Sequence, residues 1–182
     1  YVGLTKFDTN GVSAMNDLDA SAAGEYNDDD GYTNDSIITN YSYDLGGGLS
    51  FKGSARYTDS RLEYDRVNKG QTDKNNVTDD EELSYSLKLI KDSGQFNNSV
   101  SYNKTDIDRS IVAHNNTINH YWGYREALNY LGEYNINLDQ KIIYGADIEI
   151  DAAELKDDWT AQYEWNQERV YSQYFDYQFR PM

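Results

Sequence analysis

The amino-acid sequence predicts an all-β protein, an antiparallel sheet of about eight strands in which each strand is joined to the next. Polar and apolar residues alternate with the two-residue period of a strand in segment after segment. Tight turns rich in Gly, Asn and Asp separate pairs of these segments. Tyr occurs 18 times and aromatic residues make up 14% of the 182 residues, whereas disordered chains are poor in aromatic residues. The predicted strands cover residues 1–7, 32–43, 49–57, 83–89, 96–102, 118–135, 141–150 and 169–179.

The first three strands are predicted from an alternation that strengthens along the chain. In the second strand, Ile37, Tyr41 and Tyr43 share one parity. In the third strand, Phe51 and Tyr57 belong to an apolar parity that alternates with Ser, Lys and Arg. A sheet with one apolar face and one polar face gives this pattern.

The fourth and fifth strands form the clearest hairpin in the sequence. Residues 83–89 alternate without a break, with Leu and Tyr on one parity and Ser and Lys on the other. A turn at residues 91–94 follows, and its Gly94 supplies the positive φ that tight turns need. Residues 96–102 then return with Phe, Val and Tyr alternating with Asn and Ser.

The last three strands repeat the pattern with larger aromatic residues. The sixth strand carries Trp122 and Tyr130 on one parity. The seventh places Ile148 opposite in parity to Asp147, and the eighth places Phe175 on its apolar parity. Each of these strands therefore also presents one apolar and one polar face.

The connections predict how the sheet is oriented. Long polar segments, predicted as loops, alternate with short turns, so all long loops lie at one end of the sheet and all short turns at the other. The long segments are 8–30, 58–80, 105–117 and 151–164 and the short ones are 44–47, 91–94 and 137–140. Bacterial outer-membrane barrels have short periplasmic turns and long extracellular loops. The apolar face would then meet lipid, and the polar face would line a water-filled lumen.

A soluble sandwich is the alternative interpretation of these strands. Such a fold favours Val-rich strands and turns at an even spacing, whereas this chain alternates short and long connections. A closed sheet is also the form that lipid demands of β-structure, because every backbone group is then paired. The pattern therefore favours a transmembrane barrel.

Composition excludes several other classes. The net charge of −16 argues against a nucleic-acid partner, which requires Lys and Arg, and is compatible with divalent cations. No cysteine is present, so disulfide frameworks and thiolate metal sites are excluded. No apolar run is long enough for a transmembrane helix. The chain begins at Tyr1 with strand-like sequence, as expected for a piece of a longer protein.

Several short motifs occur in a characteristic order. They are Asn27-Asp28-Asp29-Asp30-Gly31-Tyr32, Arg61-Leu62-Glu63-Tyr64-Asp65, Arg125-Glu126-Ala127-Leu128-Asn129-Tyr130, Tyr144-Gly145-Ala146-Asp147 and Val170-Tyr171-Ser172-Gln173-Tyr174-Phe175. In order and spacing they resemble the TonB-dependent outer-membrane receptors, and among these the cobalamin transporters. The resemblance covers nearly the whole chain, residues 1–182, as a middle portion of the receptor barrel.

The resemblance implies an import function rather than an enzyme. Receptors of this family have a barrel of about 22 strands closed by an N-terminal plug domain, and this chain would be a part of that barrel without the plug. They reside in the bacterial outer membrane and import scarce ligands such as cobalamin or iron chelates. Their expected partners are the small-molecule ligand, outer-membrane lipid, and the TonB system, which acts through the plug.

The resemblance also implies a calcium site at the long-loop end. The matching residues are Asp28, Asp30 and Asp65, with Tyr64 adjacent. Ca²⁺ binds carboxylate and carbonyl oxygens at ~2.3–2.6 Å, often from flexible loops. A further carboxylate is expected early in the first loop, where this chain has Ser13. A solvated acidic loop is the alternative interpretation of the same residues.

Other residue groups predict no further chemistry. His114 and His120 lack the spacing and the Cys partners of a zinc site. Asp147 and Glu149 share one face of a strand, which is typical of a lumen lining rather than of a glycosidase. A complete eight-stranded structural or adhesive barrel is the alternative function, and it requires the first strand to pair with the eighth.

Overall fold

The computed structural model describes residues 1–11, 30–68, 71–113, 117–158 and 160–180. These residues form one antiparallel sheet of eight strands, arranged in the order of the sequence, so the predicted meander is confirmed. Among them, no helix is long and apolar enough to cross a membrane. The strands are β1 Val2–Thr9, β2 Tyr32–Gly46, β3 Leu49–Asn68, β4 Gln71–Asp92, β5 Phe96–Ala113, β6 Thr117–Asn135, β7 Gln140–Asp157 and β8 Gln162–Phe179.

The long connection between the third and fourth strands was predicted wrongly. Residues 58–80 were assigned to a loop, but β3 continues to Asn68 and β4 begins at Gln71. Polar residues on both faces hide this extension from an apolar-period analysis, although the backbone ladder continues through them. Cross-strand charge pairs accompany it, as between Arg61 and Asp79, which lie opposite each other with Nη1 and Oδ1 3.5 Å apart.

Two other predicted loops are also largely strand. Of the segment 105–117, β5 takes residues up to Ala113, and of the segment 151–164, β7 continues to Asp157 before β8 begins at Gln162. Only the connection between β1 and β2 is long, so the predicted alternation of long loops and short turns is wrong for the other three connections. We call the end of the sheet that carries the connection between β1 and β2 the end of the long connections. The physical reason is the same, since polar residues of these segments pair with the neighbouring strands. Arg109 of β5, for example, donates two hydrogen bonds to Asp80 of β4 at 2.5 and 3.1 Å.

The three short turns share one hydrogen-bond design. In each, an Asp or Asn side-chain oxygen accepts a hydrogen bond from the backbone N–H two residues later. Asp44 accepts from Gly46 at 2.8 Å and Asp92 accepts from Gly94 at 2.9 Å. Asn137 accepts from the N–H of Asp139 at 2.9 Å. The predicted positions of all three short turns are confirmed.

The register places the apolar parities of all strands on one face of the sheet. Directly paired residues share a face, and pairs such as Tyr43 with Phe51 and Leu87 with Tyr102 connect the strands. We call the following side chains the apolar band: Leu4, Ile37, Tyr41, Tyr43, Leu49, Phe51, Ala55, Tyr57, Leu83, Tyr85, Leu87, Leu89, Phe96, Val100, Tyr102, Leu128, Tyr130, Tyr134, Ile142, Tyr144, Ile148, Ile150, Tyr171, Phe175, Tyr177 and Phe179.

The opposite face is polar and carries small or charged side chains. We call it the polar face. Its central members are Asn40, Ser42, Lys52, Ser54, Arg56, Ser84, Ser86, Lys88, Ser101, Asn103, Thr105, Asn129, Asp147 and Ser172.

The sheet has no second layer among the described residues. Ala152, 5% exposed, is the single hydrophobic residue of this part of the chain that is buried. Leu83, Leu89, Val100 and Leu128 lie on inner strands, yet they remain 42 to 45% exposed. The apolar band is therefore covered by neither a helix nor a second sheet among the described residues.

Two depressions lie on the polar side of β4 to β8, each lined chiefly by residues at polar-face positions. Exposure alone does not separate the two faces, since on β4 the half-buried residues include Ser84 and Ser86 of the polar face and Tyr85 and Leu87 of the apolar band.

Glycines inside the strands are covered by tyrosines from the paired strand. A Cβ atom built on Gly53 would lie 2.2 Å from the ring of Tyr41, and one on Gly132 would lie 2.3 Å from the ring of Tyr144. Each glycine is the direct cross-strand partner of its tyrosine. The missing side chain lets the ring lie flat on the sheet, the arrangement known as aromatic rescue of strand glycines.

The two outer strands are edges of the sheet. Within the described residues, β1 pairs only with β2 and β8 pairs only with β7. Pairing between β1 and β8, which a complete eight-stranded barrel requires, does not occur in this part of the chain. Both edges leave rows of backbone groups available for further strands.

The tyrosine–glycine pairs make a testable prediction. We expect Gly53→Val to lower the free energy of unfolding by about 1–3 kcal/mol, because the new side chain displaces the Tyr41 ring. Ala55→Val is the matched control, since it adds a β-branched residue two positions along on the same face, opposite Thr39. Urea unfolding of both variants gives the comparison, and equal losses would contradict the proposed role of the ring.

Candidate functional site

The base of the first long connection fixes the position of Asp30. Gly11 has a φ of 64°, and its N–H donates a hydrogen bond to Thr9 Oγ1 at 3.0 Å. A Cβ atom on Gly11 would lie 2.0 Å from the carbonyl oxygen of Asp30, so only glycine fits this close approach. Asp30 therefore stands directly before β2, against the end of β1.

Glu63 of β3 adds a carboxylate at the place where Gly11, Asp30 and Gly31 meet, which we call the corner. Its N–H donates a hydrogen bond to the carbonyl of Gly31 at 2.8 Å. A Cβ atom on Gly31 would lie 2.9 Å from Glu63 Oε2, so the carboxylate lies directly over the residue that follows Asp30. Arg61 is a neighbour of opposite charge, with Nε 3.7 Å from Glu63 Oε1. Sequence reasoning missed Glu63, although it stands two residues before Asp65, in the segment 58–80 that was predicted as a loop.

The predicted calcium residues are only partly described. Asp28 lies outside the described residues, and the same holds for the side chain of Asp65. The backbone of Asp65 lies in β3, where the register with β4 shifts between Tyr64 and Arg66. Tyr64 is paired with Asn76, which is fully buried.

The chemistry of this corner suits a hard cation, since Asp30 and Glu63 both supply oxygen ligands. Among the described residues, no group of three or more Asp, Glu or His side chains is arranged to hold a metal ion. The corner therefore supplies oxygen donors of the expected kind without a complete ligand set in the described part of the chain.

A chain of hydrogen bonds crosses the polar face from β5 to β8. Asn103 donates to Asn129 Oδ1 at 3.0 Å, and Asn129 donates in turn to Asp147 Oδ1 at 2.9 Å. Ser172 donates to the other oxygen of Asp147 at 3.0 Å. Asp147 is thus an acceptor in a polar lining, consistent with the prediction that Asp147 and Glu149 line the polar face.

Charge pairs strengthen the same face nearer the long connections. Arg125 donates to both carboxylate oxygens of Asp151, at 2.6 and 3.1 Å, and lies 3.8 Å from Glu149. The hydrogen bond from Arg125 lowers the pKa of Asp151. In β5, the hydrogen bond to Asp80 raises the pKa of Arg109. These bidentate pairs hold neighbouring strands together where both faces of the sheet are polar.

One of the two histidines, His120, lies in the described part of the chain. His114 lies outside the described residues. His120 Nδ1 is 3.0 Å from Ser110 Oγ, and its Nε2 is 3.3 Å from Asp108 Oδ1. His120 is therefore part of a polar surface network between β5 and β6.

Comparison with known proteins adds no relative. No protein-family model matches the chain, and no curated protein matches it with significant similarity.

The hydrogen-bond chain on the polar face is testable. We expect Asn129→Ala to lower the free energy of unfolding by about 1–2 kcal/mol, because Asn103 and Asp147 each lose a partner. Asn40→Ala is the matched control on the same face, since the Asn40 side chain is exposed. Urea unfolding measures both, and an equal effect of the two substitutions would contradict the importance of the chain.

Proposed function

We propose that this sheet is a segment of a bacterial outer-membrane β-barrel and belongs to a TonB-dependent receptor that imports a scarce ligand such as cobalamin or an iron chelate. The observation that carries the proposal is the position of the apolar band. It covers one side of a single-layered sheet, and nothing among the described residues packs against it. Lipid is the environment in which a β-sheet places its apolar side chains outward.

The height of the apolar band fits a membrane crossing. On β7 it runs from Ile142 to Ile150, and on β8 it runs from Tyr171 to Phe179. At about 3.3 Å per residue and a tilt of about 40°, such a span rises roughly 20 Å, near the ~25 Å of lipid-facing barrel surfaces. Beyond the band, charged residues and their ion pairs lie beside aromatic residues such as Trp122 and Trp165.

The margin of the band also crosses the strands obliquely. A row is the set of directly paired residues that crosses the strands. On β2 the band ends, at its margin nearest the long connections, at Ile37, and the row of Ile37 runs through Tyr57 to Leu83 of β4. On β8 the band ends at the same margin at Tyr171, and the row of Tyr171 runs through Tyr102 to Leu87 of β4, four residues from Leu83. The margin is therefore displaced along the strands, as a flat apolar slab requires when tilted strands cross it.

Aromatic side chains gather at the margin near the short turns. There the rings of Phe96 and Tyr134 stack with centroids 4.5 Å apart, as in the aromatic girdles that mark the membrane interfaces of outer-membrane barrels. The rings of Trp122 and Trp165 also stack, with centroids 6.0 Å apart, but they lie six residues beyond Leu128 and Tyr171, the last members of the band on β6 and β8. This second pair is therefore roughly 20 Å along the strands from the margin of the band.

The polar face supports a water-filled interior. Its hydrogen-bond chain through Asn129 and Asp147 would line the lumen through which a polar ligand passes. Edge strands that are open at membrane depth demand further strands to pair with, because unpaired backbone groups are costly in lipid. The receptor assignment rests on the order of the motifs quoted above, and the expected partners are the ligand, outer-membrane lipid and TonB acting through a plug domain.

We further propose calcium at the corner between β1, β2 and β3. Asp28, Asp30 and Asp65, with Tyr64 adjacent, are the proposed residues, and Glu63 joins them because its carboxylate lies over Gly31. When bound, the ion would neutralise part of an acidic region and join two hairpins at the long-connection end.

A pair of neighbouring substitutions tests the membrane assignment. Leu87 lies within the apolar band and Ser86 lies on the polar face of the same strand. We expect Leu87→Arg to make folding into phospholipid vesicles less favourable by about 2–4 kcal/mol, since Arg is unfavourable at the bilayer midplane. We expect Ser86→Arg to change it little. Equal effects of both, or a larger effect of Ser86→Arg, would refute a lipid-facing band.

Calcium titration tests the proposed metal site. We expect Ca²⁺ to bind the folded protein and to raise its unfolding temperature, and expect the double substitution Asp28→Ala/Asp30→Ala to abolish both effects. Glu164→Ala/Glu168→Ala removes the same charge from β8 and serves as the control. Equal binding by the two double variants, measured by calorimetry, would argue for a diffuse acidic surface instead.

A further inference from the structure

We infer that the polar face carries a binding site for an amphipathic anion, with the anionic group held by Lys52 and Lys88. The inference rests on the proposed function in one respect only, that the polar face borders water. It does not depend on which ligand the receptor imports or on calcium.

The two lysines are direct cross-strand neighbours. Lys52 of β3 and Lys88 of β4 are paired in the register and share the polar face. Like charges directly opposite one another destabilise a sheet. The next pair along the same face is Ser54 with Ser86, so two serine positions are adjacent to the two lysine positions. Ammonium and hydroxyl donors together are suited to a carboxylate or phosphate group.

Neither lysine is neutralised by the protein. Among the described residues, no carboxylate lies within 4 Å of Lys52 or Lys88. Most other described cations do have such a partner: Lys6, Arg61, Lys104, Arg109, Arg125, Lys141 and Lys156. In a chain of net charge −16 two adjacent unpaired cations are therefore conspicuous. Asp147, the acid in the same row, is separated from Lys88 by Ser101 and Asn129.

An apolar depression adjoins Lys88 on the same face. It measures about 260 Å³, and Ile90, Leu131 and Ile143 contribute its apolar walls. Leu131 is an apolar residue on the polar face, and it is 41% exposed. The one acid of the depression, Glu133, is bonded to Lys141 at 2.9 Å and so is already neutralised.

The combination defines the class of ligand. A bare anion would use the lysines but leave the apolar walls wet, and a neutral apolar molecule would leave the lysines unpaired. A molecule with an anionic head and a short apolar body satisfies both, because the head reaches Lys52 and Lys88 while the body covers Leu131 and its neighbours. The head is a carboxylate or a phosphate.

Octanoate and octyl phosphate are suitable probes, with acetate and octanol as partial ligands. The full chain is placed in lipid nanodiscs, and calorimetry gives its affinities after subtraction of binding to empty discs. We expect both amphipathic anions to bind saturably and at least about tenfold more tightly than acetate or octanol. The tighter of the two identifies the head group.

Variants then assign the site. We expect Lys52→Ser/Lys88→Ser to weaken octanoate binding about tenfold or more, and Leu131→Ser to weaken octanoate binding without affecting acetate. Lys6→Ser/Lys156→Ser removes the same charge elsewhere and should leave the affinity unchanged.

Three results would overturn the inference: equal octanoate affinity in all variants, acetate binding as tight as octanoate, or no binding with a marked loss of stability in Lys52→Ser/Lys88→Ser. The last would mean that another part of the chain neutralises the lysines. Failure of the membrane assignment is detected separately by the Leu87→Arg and Ser86→Arg pair, so the two proposals fail independently.

Discussion

The structure depends on one constraint: a single-layered sheet cannot bury its own apolar face. Each large apolar side chain of the band is only about half covered by its neighbours in the sheet. Covering the remaining half is worth roughly 1 kcal/mol per side chain, and over the band this sum exceeds the ~5–15 kcal/mol by which proteins are stable. Whatever covers the apolar band is therefore as important to the fold as the hydrogen-bonded ladder itself.

Along their length, the strands have two zones whose side chains differ in chemistry. Near the short turns, one face is apolar and the other carries Ser, Asn and Lys. Near the long connections charged residues are frequent on both faces, and the strands are joined by charge pairs such as Arg125 with Asp151 and Arg109 with Asp80. The ladder of backbone hydrogen bonds continues through both zones, so the zone boundary is set by side chains alone. This division places the acidic residues of the described strands mainly at one end of the sheet.

The sequence predicted the apolar zone well, because period-two alternation is visible wherever one face is apolar and the other polar. Phe51, Leu87, Ile148 and Phe175 all lie on the predicted parity. On β3, β4, β5, β7 and β8 it predicted the zone beyond the band as loops, because a strand with charge on both faces has no hydrophobic period; on β6, where Trp122 and Tyr124 continue the period, it predicted strand. Glu63 was missed for a related reason: its closeness to Gly31 depends on the register between β2 and β3, which alternation alone does not specify.

The shape of the apolar band supports the proposal that lipid covers it. A second protein layer packs wherever its own side chains fit, so it gives an apolar patch whose outline follows the packed elements. Here the outline instead runs obliquely across the hydrogen-bonded rows, from the row of Ile37 to the row of Tyr171, and a stacked aromatic pair lies at the margin near the short turns. A slab with two flat boundaries produces such an outline when tilted strands cross it. Under this proposal the polar face, with its hydrogen-bonded Asn and Asp side chains, is the side that requires water at the height of the band.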